Sequence, residues 1–117
     1  MSVKDNEELK SLRDCVIEGM LDHLACGDTG YTKEDVERCR RILEEHLDAL
    51  SEVHNRDAAM VCVKATVQRL NELNEKAEEG LIEADEREGI CEYIIKSGVL
   101  LDFNGEDEDV TEEWREW

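Results

Sequence analysis

The chain has 117 residues, with 32 Asp and Glu against 14 Lys and Arg, a formal net charge of −18. That length suits one domain able to bury roughly two-thirds of its unfolded surface, and 40% hydrophobic residues separate it from a disordered acidic segment. The acidity argues against direct nucleic-acid binding, which needs Lys and Arg against phosphates; no apolar run approaches the ~18 residues of a membrane span, and the charged start MSVKDNEELK does not read as a secretory signal.

Proline is absent, so no helix is broken by a missing N–H. The first helix is expected from about Asp5 to Ala25. Leu9, Leu12, Val16, Met20 and Leu24 recur at steps of three and four, the period of one helical face. Gly27 supplies its stop and a turn follows to Tyr31. Thr32 caps the second helix. Its stripe of Val36, Cys39, Leu43, His46 or Leu47, Leu50 and Val53 predicts packing against another long helix.

The third helix is expected from Asn55–Asp57 to about Glu79, ended by Gly80. AAMVCVKATV (58–67) is apolar almost all round, which places this helix centrally. Ala58, Cys62 and Ala65 form a small-residue stripe, and the polar stretch past Leu70 is expected to protrude into solvent. A shorter fourth helix begins at an Asp85–Glu88 capping box. Its apolar residues are Ile90, Cys91, Ile94 and Ile95. Gly98 stops it, and Val99, Leu100 and Leu101 fold back over its last turn. From Asp102 the composition changes to eight acids and one Arg, with Thr111 placed to cap a last turn and Trp114 and Trp117 on one face. The fold class is therefore all-α: an antiparallel bundle of three long helices plus one shorter helix (1–101), followed by an acidic, Trp-containing C-terminal tail (102–117). A dimer in which the second and third helices complete each other's core is the alternative arrangement.

Few motifs point to chemistry. Cys15, Cys26, Cys39, Cys62 and Cys91 match no zinc spacing and read as small core hydrophobes in a reducing cytosol. His23, His46 and His54 lack any HExxH pattern. Asp102, Asn104, Glu106 and Glu113 loosely imitate a calcium loop, but Asp107 stands where that loop needs Gly. Glu44, Glu45, Asp48 and Glu75 are the carboxylates from which a metal-dependent hydrolase on a helical bundle could be built, the one enzymatic reading. No cofactor motif occurs.

The run GLIEADEREGICEYI (80–94) and the terminal DVTEEWREW resemble a group of small stand-alone acidic bacterial proteins of unknown function that end in EWREW. The likeness covers 80–96 and 110–117, and it implies a bacterial cytoplasmic protein without implying an activity. In size, acidity and helical character the chain is also loosely similar to bacterial immunity proteins. The charge itself favours a non-catalytic binding protein that masks a basic protein partner. Asp107, Asp109, Glu112, Glu113, Trp114 and Trp117 are the expected contacts, together with the acidic faces of the first two helices. The two indoles are expected either to dock on the chain's own bundle and pin the tail, or to anchor the partner while the acids steer it.

Overall fold

A computed structural model describes residues 3–27, 30–78 and 80–117. A 3₁₀ turn at Val3–Asp5 precedes four helices: α1 (Glu7–Ala25), α2 (Lys33–Leu50), α3 (Arg56–Lys76) and α4 (Ala84–Leu100). Each of the first three begins where its sequence offers a side-chain acceptor. Asn6 accepts from the Leu9 amide, Asn55 from Ala58, and Thr32 and Asp35 form a reciprocal capping box. Gly27, at φ 85°, closes α1 through the left-handed conformation its position requires. The turn expected there runs through Asp28 and Thr29, which lie outside the described residues, as does Glu79.

The helices pack as neighbours in the order α3, α2, α1, α4. The α2 stripe is buried from Val36 to Leu50: Val36, Cys39, Leu43, His46, Leu47 and Leu50 all face the core, while Val53 lies beyond the helix end and is only half-buried. Two tyrosines tie the interior together, Tyr93 donating to the Leu43 carbonyl and Tyr31 to that of Met20, each at 2.8 Å. Between α2 and α3, His46 Nδ1 lies 2.7 Å from Thr66 Oγ1, with both side chains buried.

Several expectations are corrected. The third helix is not central: it packs chiefly on α2, and Val61 on its outer side is 68% exposed. The small-residue stripe shares that fate, Ala65 being exposed and Ala58 and Cys62 only half-buried. Its end does not protrude; Leu73, Asn74 and Ala77 are buried, because Asn74 Oδ1 accepts from the Ile82 amide and draws the next link against it. The helix stops at Lys76, before Gly80, with Glu78 taking the left-handed turn. The fourth helix is nearly as long as the others. It starts after Glu83, not Asp85, and continues through Gly98 to Leu100. Asn104 packs directly onto Gly98: a Cβ there would lie 1.8 Å from Asn104 Oδ1, and the amide would have to move. Val99 and Leu100 therefore extend the helix and do not fold back. Finally, of the five free cysteines only Cys39 is buried; Cys62 and Cys91 are half-buried, and Cys15 and Cys26 are exposed.

The α1–α4 pair packs closely over a glycine on each helix. A Cβ on Gly89 would stand 2.6 Å from Val16 Cγ2, and one on Gly19 would stand 3.1 Å from Glu86 Oε2. Val16 is stiff at χ1 and buried, so it cannot yield cheaply. Gly89→Ala is expected to lower unfolding free energy by about 1–2 kcal/mol, overpacking outweighing the gain in helix propensity. Gly105→Ala, with open space around it, should fall within about 0.5 kcal/mol of the parent in urea denaturation.

Burial holds the His46 pKa down at about 4. The unfolded chain takes up this proton near pH 6.5 while the folded one refuses it, so stability is lost as pH falls from 6.5 towards 4. Relative to His46→Gln, the parent should lose about 3 kcal/mol between pH 7 and pH 4; parallel pH profiles would refute this.

Candidate functional site

Residues 102–117 lie in the seam between α3 and α4, two helices that scarcely touch each other. The segment runs back along α4 and forward along α3. Asn104 donates to the Ile95 carbonyl, and Arg56 pairs with Glu108 and donates to the Phe103 carbonyl at 2.9 Å. Further on, Asn71 holds the backbone with both ends of its amide, donating to Trp114 O at 2.8 Å and accepting from the Glu116 amide at 3.1 Å. Val110 and Thr111 are buried, and Trp114 and Trp117 pack partly against the core. Residues 110–114 form turns, not a further helical element. Arg115 stacks over the Trp117 ring at 5.6 Å and reaches Cys91 Sγ at 2.8 Å.

The six expected contact residues thus divide. Asp107, Glu112 and Glu113 present their carboxylates to solvent. Asp109 is turned to its neighbours: burial pushes its pKa up, but donation from the Thr111 hydroxyl and amide, with Arg115 nearby, outweighs this and holds the carboxyl down. Trp114 and Trp117 are half-buried, each with one part on the core. Glu108, which sequence reasoning passed over, is held well below the usual carboxylate range, first by the Arg56 side chain and then by the Gly105 amide.

Beside this segment a groove of about 460 Å³ opens on α4. Ile95, Val99 and Leu100 give it apolar walls, Leu100 being 46% exposed. Glu92, Glu106 and Asp107 set acids around it, and its cation, Lys96, is paired with Glu8. The sequence concealed this groove because it forms between the outer face of α4 and a loop that turns back beside it at Asp102, which takes the left-handed conformation.

Charge is divided unevenly. Together α2 and α3 carry nine acids and eight bases, while α1 and α4 carry nine acids and four bases. Residues 102–117 carry eight acids and one base. The α2–α3 face has instead a basic groove of about 400 Å³ bordered by Arg38, Arg41, Arg69 and Lys76. Asp35 pairs with Arg38 and Lys76, and Glu45 with Arg69.

The hydrolase carboxylates do not converge. Glu44 faces Arg13 at 3.7 Å, Glu45 faces Arg69 at 3.1 Å and Asp48 faces Lys4 at 3.3 Å. Glu75 stands elsewhere, beside Asn71, Asn74, Glu116 and Trp117. Among the described residues, the triad whose ligand atoms do approach one another is His23, Glu83 and Glu86, all within 4.8 Å. No protein-family model, curated protein or solved structure matches the chain.

Half-burial of a tryptophan against a core makes a measurable contribution. Trp114→Ala should reduce unfolding free energy by about 1–3 kcal/mol, whereas Glu112→Gln with Glu113→Gln, both exposed, should change it by under about 0.5 kcal/mol. Equal urea midpoints for W114A and the parent would show that the indole contributes no docking energy.

Proposed function

We propose that the protein acts by binding rather than catalysis, masking a basic, apolar-tipped segment of a partner protein. The observation that carries this reading is the α4 groove, where apolar walls adjoin Glu92, Glu106 and Asp107 on the most acidic part of the molecule. A cation-bearing segment gains twice there. Its apolar side chain leaves water against Ile95, Val99 and Leu100, and its Lys or Arg meets carboxylates.

The eight acids of 102–117, with Glu112 and Glu113 exposed, extend the field that steers such a partner in. Trp114 and Trp117 hold the segment in place and offer their exposed edges at its rim. A protein that otherwise meets phosphates presents the complementary surface, so an immunity-like inhibitor of a nucleic-acid-binding partner fits this chemistry. A bacterial cytoplasmic setting, suggested by the likeness of residues 80–96 and 110–117 to stand-alone bacterial proteins, belongs to the same proposal.

Capture from native lysate on the full-length protein at low salt is expected to yield a stoichiometric basic partner. Its affinity should fall at least about tenfold between 50 and 200 mM salt, as screening shortens the field. The double variant E106K/D107K should bind at least about tenfold more weakly without a change in melting temperature. Absence of a stoichiometric partner at low salt, or binding insensitive to both salt and E106K/D107K, overturns the proposal. Concentration-dependent sedimentation with no such partner would support instead a homodimer through the outer face of α3, where Val61 is exposed.

A further inference from the structure

The end of the molecule that holds the α1–α2 and α3–α4 links carries two buried carboxylates in equivalent places. Asp35 and Glu86 each stand three residues after the N-cap position of their helix. Asp35 is fully supplied: its carboxylate takes the Thr32 amide at 3.0 Å and faces Arg38 and Lys76. Glu86 is not. The nearby Glu83 backbone N–H favours its charged form, but no side-chain hydrogen bond caps α4. Glu86 Oε1 has no hydrogen-bond partner, although the residue is only 3% exposed. A buried carboxylate oxygen left this way is costly.

Oε1 is aimed at two other ligating atoms. His23 Nδ1, in the last turn of α1, stands 3.7 Å from Glu86 Oε1 and 3.9 Å from Glu83 Oε2. These distances are too long for hydrogen bonds. They are close to what a shared metal requires: zinc–nitrogen and zinc–oxygen bonds of about 2.1 Å at a tetrahedral angle separate neighbouring ligand atoms by about 3.4 Å. Gly19 keeps the place open, since a side chain there would press on Glu86 Oε2.

We propose that His23, Glu83 and Glu86 form a binding site for a first-row divalent cation, zinc foremost, that joins the end of α1 to the start of α4. One imidazole nitrogen and two carboxylate oxygens suit zinc better than magnesium or calcium, which take oxygen alone. The cation supplies the partner that Glu86 Oε1 lacks. Its remaining position opens towards solvent, because Glu83 is exposed and His23 half-exposed, and water or a partner's side chain completes it. The site lies at the end of the bundle away from residues 102–109 and stands independently of the binding function proposed above.

Titrating zinc into the reduced full-length protein by calorimetry is the test, with cobalt(II) absorption as a second readout. One zinc per chain, a raised melting temperature and at least roughly tenfold weaker binding in both His23→Gln and Glu86→Gln are expected. Cys26→Ser should bind as the parent does, and the cobalt spectrum should lack a thiolate charge-transfer band. If E86Q fails to fold, as its circular dichroism would show, H23Q alone decides, because His23 sits at the surface. No zinc bound at about 1 mM, binding unchanged in H23Q, or a cobalt–thiolate band each overturns the assignment.

Discussion

Four helices joined by short links and packed side by side in the order α3, α2, α1, α4 leave one side of the core without helix-to-helix packing. Apolar side chains along such a seam face water unless something covers it. Residues 102–117 supply the cover, with Val110 and Thr111 buried in it and Trp114 and Trp117 laid against it. Asn71 and Arg56 on α3, and Cys91 on α4, fix its course. The densest run of acids in the chain is thereby fastened to the bundle, and the loop that begins it forms one wall of the α4 groove.

That fastening shapes the electrostatics. Mobile carboxylates spread their field and lose entropy when they bind; held ones present a fixed pattern. The α2–α3 face stays near neutrality, with ion pairs such as Glu45–Arg69 and Asp35–Lys76 across it. Most of the −18 is therefore carried by α1, α4, the links and the C-terminal segment. A basic body is thus drawn towards the α4 and C-terminal side and not to the α2–α3 face, so the attraction also orients it.

Much of the architecture was legible in the sequence. The α2 stripe from Val36 to Leu50, the Thr32 cap and the Gly27 stop are local signals, and local physics decides them. Errors arose where tertiary contacts override local pattern. The apolar run 58–67 reads as a central helix, yet the bundle has only one side for α3 to cover, so Val61 faces water. Gly98 reads as a stop, yet Asn104 packing onto it explains the glycine within a continuing helix. Neither the α4 groove nor the His23–Glu83–Glu86 grouping has a sequence signature: the groove depends on how the chain turns back at Asp102, and the grouping joins residues far apart in the chain. The carboxylates Glu44, Glu45 and Asp48 are close in sequence but separate in space, each turned to a different cation.

The order of packing also has a consequence for how the chain reaches this state. Contacts between α2 and α3 are local: His46 and Thr66 are 20 residues apart. Those between α1 and α4 are the most distant, Glu8 and Lys96 being separated by 88. Closing so long a loop costs conformational entropy before any contact repays it. The α2–α3 hairpin is thus the natural nucleus, and α1 and α4 pair last. Tightness at Gly19 and Gly89 then governs mainly how fast the native state opens, and leaves the speed of its formation to the α2–α3 pair.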